Sequence, residues 1–86
     1  MPIISAFHGI VIRMYYQEHE PPHFHAEHRD QQGKFDFDGT MLAGNIRSGT
    51  ALHLIRQWTA LHRSELELNW ENVRKGRALD SIEPLD

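Results

Sequence analysis

Along this chain the spacing of apolar and polar side chains changes once, near residue 50. Before that point apolar residues alternate at the period of two that a pleated strand imposes, and after it they return every three or four residues, as on an α-helix. The first run, "IISAFHGIVIRMYY", has apolar side chains on both alternating faces: Ile10, Ile12 and Met14 on one, Phe7, Val11 and Tyr15 on the other. It reads as a strand buried on both sides, with Gly9 as a bulge or a close backbone approach. Pro21 and Pro22 remove two backbone donors and hold the residue before each in extended geometry, so the ladder stops there.

The next run, "HFHAEHRD", sets Phe24, Ala26 and His28 toward a core and His23, His25, Glu27 and Arg29 away from it. In "QQGKFDFDG", Gly33 suits a tight turn, and a two-residue loop of Gln32 and Gly33 would place Arg29 opposite Asp36, Glu27 opposite Asp38 and Phe37 against His28. Asp38-Gly39 is a second hairpin signal, leading to "TMLAG" with Leu42 against Phe35. The expectation is an antiparallel meander of three to four strands.

From Thr50 to Gly76 the chain has no proline and is rich in helix formers, with Ser48 or Thr50 as N-cap and Gly76 as the stop. Leu52, Ile55, Leu66, Trp70 and Val73 fall along one stripe, the expected core face. Leu54, Leu61 and Leu68 recur every seven residues on another side, so the apolar arc is wider than one sheet face requires from a straight helix. Either the helix breaks or it packs on both sides. Arg56, Arg63, Glu67, Glu71 and Arg74 form a solvated face with i,i+4 pairs such as Arg63 with Glu67. Leu79, Ile82 and Leu85 are spaced as anchors for an extended tail, and Pro84 opposes a terminal helix. The whole is an α+β domain over residues 1–86: a small antiparallel sheet on one long C-terminal helix, with the tail strapped across it.

Composition narrows the function. Eighty-six residues make one domain that removes a modest share of its surface from water. With no cysteine, stability must come from packing, from a metal held by nitrogen and oxygen, or from a partner subunit. A homodimer through the seam of Leu54, Leu61 and Leu68 is therefore expected. The N-terminal apolar run has no basic leader and is far short of a membrane span, which points to a cytoplasmic protein. A formal charge of −3 gives no general attraction for phosphate, so tight nucleic-acid binding would need a local basic patch. No phosphate-cradling glycine loop and no nucleophile elbow occurs.

The densest candidate chemistry is "HEPPHFHAEH", residues 19–28, which holds four of the seven histidines. If His23, His25 and Glu27 project from one face, imidazole nitrogens and a carboxylate suit Zn²⁺ or another divalent transition metal, with His19 folding back across the prolines. Asp38 would add a second carboxylate beside Glu27, giving a metal-dependent hydrolase or nuclease. The spacing is no strong metal signature, however, since many solvated strands carry it. A structural reading has these histidines hydrogen-bonded around Glu18, Glu20 and Asp38. A third makes the histidines, Tyr16 and Arg29 a docking surface for an acidic partner or phosphates. Among the other histidines, His62 is expected buried and hydrogen-bonded, and His53 solvated.

The opening "MPIISAFHGIVIRMYYQEHEPPHFHAEH", the helix "LIRQWTALHRSELELNWE" and the "IEPL" close together resemble the small bacterial family catalogued as domain of unknown function 4160. The resemblance covers nearly the whole chain. It implies no reaction. Because members are often encoded beside another small domain, it implies a partner protein from a neighbouring gene and a regulatory, toxin–antitoxin-like pair. It also implies that His28, whose place is commonly taken by tyrosine, is no shared metal ligand. The leading expectation is a binding or regulatory module acting through protein contacts; the alternative is the metal-dependent hydrolase.

Overall fold

Two residues that the alternation absorbs into one strand, His8 and Gly9, reverse the chain instead. The computed structural model describes residues 2–17 and 19–86. In it His8 (φ 50°) and Gly9 (φ 78°) both take the positive φ of a type I′ hairpin turn. The turn joins β1 (Ile3–Phe7) to β2 (Ile10–Arg13), with Phe7 opposite Ile10. The long first strand is thus two strands. Ile10, Ile12 and Met14 are fully buried while Val11 and Tyr15 are half-buried, so only one face of this hairpin is covered.

β3 (Phe24–His28) pairs with β2 and with β4 (Gln31–Phe35), and β5 (Met41–Gly44) completes a five-stranded antiparallel sheet in the order β1-β2-β3-β4-β5. The turn between β3 and β4 is Arg29-Asp30, with Arg29 at φ 59°, and not Gln32-Gly33. Glu27 therefore faces Gln32, His28 faces Gln31 and Phe24 faces Phe35. Packing fixes this register. Gly33 lies mid-strand on the core face, where a Cβ would come within 2.8 Å of Phe35 Cε1 and 3.0 Å of Met41 Sδ. Its missing side chain makes room for a ring; it does not make a turn. In β5, Met41 takes the place opposite Phe35 expected for Leu42, and the register shifts around an exposed Leu42.

The C-terminal half is two helices where one was expected, α1 (Gly49–Leu61) and α2 (Arg63–Arg74), parted at His62. The break resolves the over-wide apolar arc, because each shorter helix turns its own stripe inward. Ile55 and Trp58 of α1 and Leu66, Trp70 and Val73 of α2 are buried. Ser48 caps α1, its Oγ accepting from the Ala51 N–H at 3.1 Å. α2 ends in a Schellman motif at Gly76 (φ 68°): Arg77 N–H donates to Asn72 O and Gly76 N–H to Val73 O.

Both helices cover the face that carries Ile10, Ile12, Phe24, Ala26 and Phe35. Trp58 packs edge-on to Phe24 with ring centroids 5.7 Å apart, and Phe24 stacks on Phe35 at 5.5 Å. Each large side chain so buried contributes about 1.5–3 kcal/mol. Ile82 of the extended tail is buried, and Leu79 and Leu85 pack partly against the same core. None of the described helices is long and apolar enough to cross a membrane.

Candidate functional site

Because Phe24 pairs with Phe35, the Pro21-Pro22 corner before β3 and the loop after β4 stand at one end of the sheet. That loop is held by its first residue: Asp36 Oδ1 accepts the N–H groups of Asp38 and Thr40, both at 2.9 Å. Gly39 (φ 84°) lets it close onto α1, where a Cβ would meet Arg56 Cα at 2.9 Å. α2 crosses the same end and ties the two loops to itself. Trp70 Nε1 donates to Glu20 Oε1 at 3.3 Å, and Arg63 pairs with Asp38 of the loop.

Between these three elements lies a cleft of about 570 Å³. Phe37 and Trp70, edge-on at 6.3 Å, form its apolar part together with the two prolines. Its charged lining is Glu20, Asp36, Asp38, Glu67 and Glu71 against Arg63 and Arg74. Five carboxylates and two guanidinium groups leave a formal −3, equal to that of the whole chain, so the other seven acidic and seven cationic residues balance. Arg63 bridges Asp38 and Glu67, the latter at 3.2 Å, and Arg74 lies 3.5 Å from Glu71 and 3.9 Å from Glu20. The bonds to Glu67 and then Asp38 raise the pKa of Arg63 above its ordinary value.

The expected metal set is not assembled this way. His23 precedes β3 and is only 2% exposed, its Nδ1 2.8 Å from Pro21 O and its ring 5.3 Å from that of Trp70. It is part of the corner's packing and not of a solvated strand face. His25 and Glu27 do share the open face. There His25 meets the rings of Tyr15 and His23, and Glu27 binds Arg13 Nε at 2.7 Å. His19 is exposed. Among the described residues no group of three or more His, Asp or Glu side chains is placed to hold a metal ion. Asp38 is not beside Glu27, because the register expected for that pair does not form. Of the structural reading's three acids, Glu18 lies outside the described residues, while Glu20 accepts from Trp70 and Asp38 pairs with Arg63.

The expected docking residues are also separated. Arg29 sits in the turn at the far end of β3 from Asp38, and Tyr16 donates to Arg77 O at 2.7 Å. Leu54, Leu61 and Leu68 do not form one straight seam: the first two belong to α1 and the third to α2. Leu54 packs partly on the core, whereas Leu61 and Leu68 are 68% and 56% exposed. His62 is half-buried at the helix break, its Nδ1 2.6 Å from Glu65 Oε1 and its ring against Trp58.

The cleft residues were visible in the sequence only as a solvated helix face. Their spacing, 63, 67, 71 and 74 with Trp70 beside them, marks one stripe of α2, and the expected Arg63–Glu67 pair is present. What the stripe faces depends on the loop after β4, which no helical periodicity reports.

Fold and site together define a small α+β protein with an acidic cleft at one end of its sheet. The chain belongs to the family described as Domain of unknown function (DUF4160), whose model matches residues 9–71. That span includes the proline corner, the loop after β4 and the cleft-lining part of α2 as far as Glu71. No curated protein and no solved structure matches the chain.

Proposed function

We propose that this protein is a binding module acting through protein contacts, and that its cleft receives a lysine- or arginine-bearing segment of a partner protein. The partner is the product of a neighbouring gene, and the two form a regulatory, toxin–antitoxin-like pair. The supporting observation is the formal −3 of a cleft with aromatic side chains in its lining. A cationic side chain entering there meets carboxylates already held in place by Arg63 and Arg74. Each carboxylate accepts up to about four hydrogen bonds, so a third cation can share them without displacing the arginines. Exposed Pro21 and half-buried Pro22, above the buried rings of Phe37 and Trp70, would cover the stem of a lysine or arginine while its head reaches the acids.

Co-expression with the neighbouring gene's product tests this reading. The complex should co-purify, and the triple variant Glu20→Gln, Glu67→Gln, Glu71→Gln, which brings the lining to neutral, should weaken it about tenfold, at a few tenths to 1 kcal/mol per exposed pair. A complex that forms equally well with the triple variant would exclude the cleft as its site.

A further inference from the structure

The charges of α2 fall into two blocks. Glu67 and Glu71 lie on the stripe that lines the cleft, and Arg74, Lys75 and Arg77 follow at the helix end. Arg74 joins the blocks in space as well, because it lines both the cleft and a second opening of about 460 Å³ shared with Tyr16, Gln17, Val73 and Gly76. An acidic cleft and a cationic turn therefore adjoin on one surface, with Tyr16, 40% exposed, at the cationic end.

The cationic turn is held in place before anything docks. Arg77 N–H donates to Asn72 O at 2.8 Å, Gly76 takes a φ of 68°, and Tyr16 donates to Arg77 O at 2.7 Å, so residues 75–77 are tied both to α2 and to the segment after β2. Its cations are weakly engaged. Lys75 Nζ lies 3.9 Å from Glu71, and the exposed Arg77 side chain pairs with none of the described acids. A knob whose backbone is already fixed loses little further freedom on binding.

This charge pattern is complementary to itself. In a two-fold interface one patch meets the same patch turned through 180°, so a patch of a single sign repels its mate. A patch acidic at one end and basic at the other attracts its mate instead: with two copies of α2 antiparallel, the acids of each face the cations of the other. Lys75 and Arg77 of a second copy would offset two of the cleft's three formal negative charges, which leaves room for a more basic competitor.

We propose that a second copy of the chain fills the cleft when no other partner does, residues 75–77 of each protomer entering the cleft of the other across a two-fold axis. This deepens the function proposed above and rests on the cleft's affinity for a basic segment. Its consequence is regulatory. The cleft does not hold both guests, so the neighbouring gene's product enters only as the homodimer parts, and self-association sets the threshold that the product must exceed.

Sedimentation velocity of the full chain at low salt should show a dimer that dissociates as added salt screens these exposed contacts. Two charge reversals test where the copies meet: Lys75→Glu with Arg77→Glu, and Glu67→Lys with Glu71→Lys. Each double variant alone should sediment as a monomer while keeping its helical circular dichroism. Mixed in equal amounts, the two folded variants should dimerise again, because the reversed turn of one then meets the reversed cleft of the other. A wild type that stays monomeric at low salt and millimolar concentration would overturn the proposal, as would a reversed variant that dimerises like wild type or a mixture of folded variants that stays monomeric. A monomer that still captures the neighbouring gene's product would sink this proposal and leave the cleft's partner standing; a charge-swapped dimer that captures nothing would do the reverse.

Discussion

Replacing Asn69 by alanine removes the paired hydrogen bonds that fix Asp80 and leaves the rest of the tail's anchors in place. Each intramolecular hydrogen bond contributes about 0.5–1.5 kcal/mol net, so the pair accounts for roughly 2 kcal/mol. The loss has a ceiling, because once the tail lifts away the Asp80 amide and carbonyl regain water, and the penalty cannot exceed the free energy of docking the tail. For a domain of this size 2 kcal/mol lowers Tm by roughly 10 °C. Asn69→Asp sharpens the test. It keeps an acceptor for the Asp80 N–H but turns a buried carboxylate toward the Asp80 carbonyl, so burial and that carbonyl favour the protonated form. The variant should be at least as unstable as Asn69→Ala at neutral pH. Because its folded-state pKa is raised, it should recover part of the difference as pH falls from neutral toward the ordinary carboxylate value of about 4, the recovery being complete there. Urea denaturation followed by circular dichroism gives the magnitude, and amide exchange at Asp80 and Ile82 locates it. An Asn69→Ala protein within about 0.5 kcal/mol of wild type, with Asp80 exchange unchanged, would refute the clamp.

Three other outcomes follow from the same geometry. Gly33→Ala should destabilise by about 1–3 kcal/mol in the same urea assay, since its Cβ overlaps Phe35 and Met41 in a filled core. Arg63→Ala should leave unfolding nearly unchanged while raising affinity for a basic segment, because it frees Asp38 and Glu67 and takes the lining to a formal −4; calorimetric titration reads the gain. Leu61→Glu should fold with stability within about 0.5 kcal/mol of wild type by thermal denaturation, as befits a side chain 68% exposed.

How much of this was legible in the sequence differs from element to element. Period-two alternation placed Ile10, Ile12, Phe24, Ala26 and Phe35 on the core face, and the helical stripe placed Ile55, Leu66, Trp70 and Val73 there too. Gly76 and Ile82 also read correctly, and Ser48 was one of two candidate caps, because a cap, a left-handed stop and an aliphatic anchor are local signals. Turn position was not legible. His8 and Arg29 take positive φ without being glycine, whereas Gly33, the residue that looked like a turn, serves side-chain packing. The break at His62 carries neither proline nor glycine, and its one trace was an apolar arc too wide for a straight helix. The histidine cluster misled for a related reason: the strand begins at Phe24, so alternation does not reach back to His23. The acidic cleft joins residues 20–22, 36–38 and 63–74, and only tertiary register brings them together.

The central claim is that the cleft, and no other surface, receives the partner's cationic segment. The Trp70 indole N–H, bonded to Glu20 at the cleft wall, reports on it directly in a nitrogen–proton correlation spectrum of the labelled protein. Titrating a lysine- and arginine-bearing segment of the neighbouring gene's product should shift that resonance and the amides of Arg63, Glu67 and Glu71. The shifts should fade as salt shortens the screening length below about 10 Å. A segment that binds while the Trp70 indole stays fixed, or whose affinity ignores salt, would contradict the account.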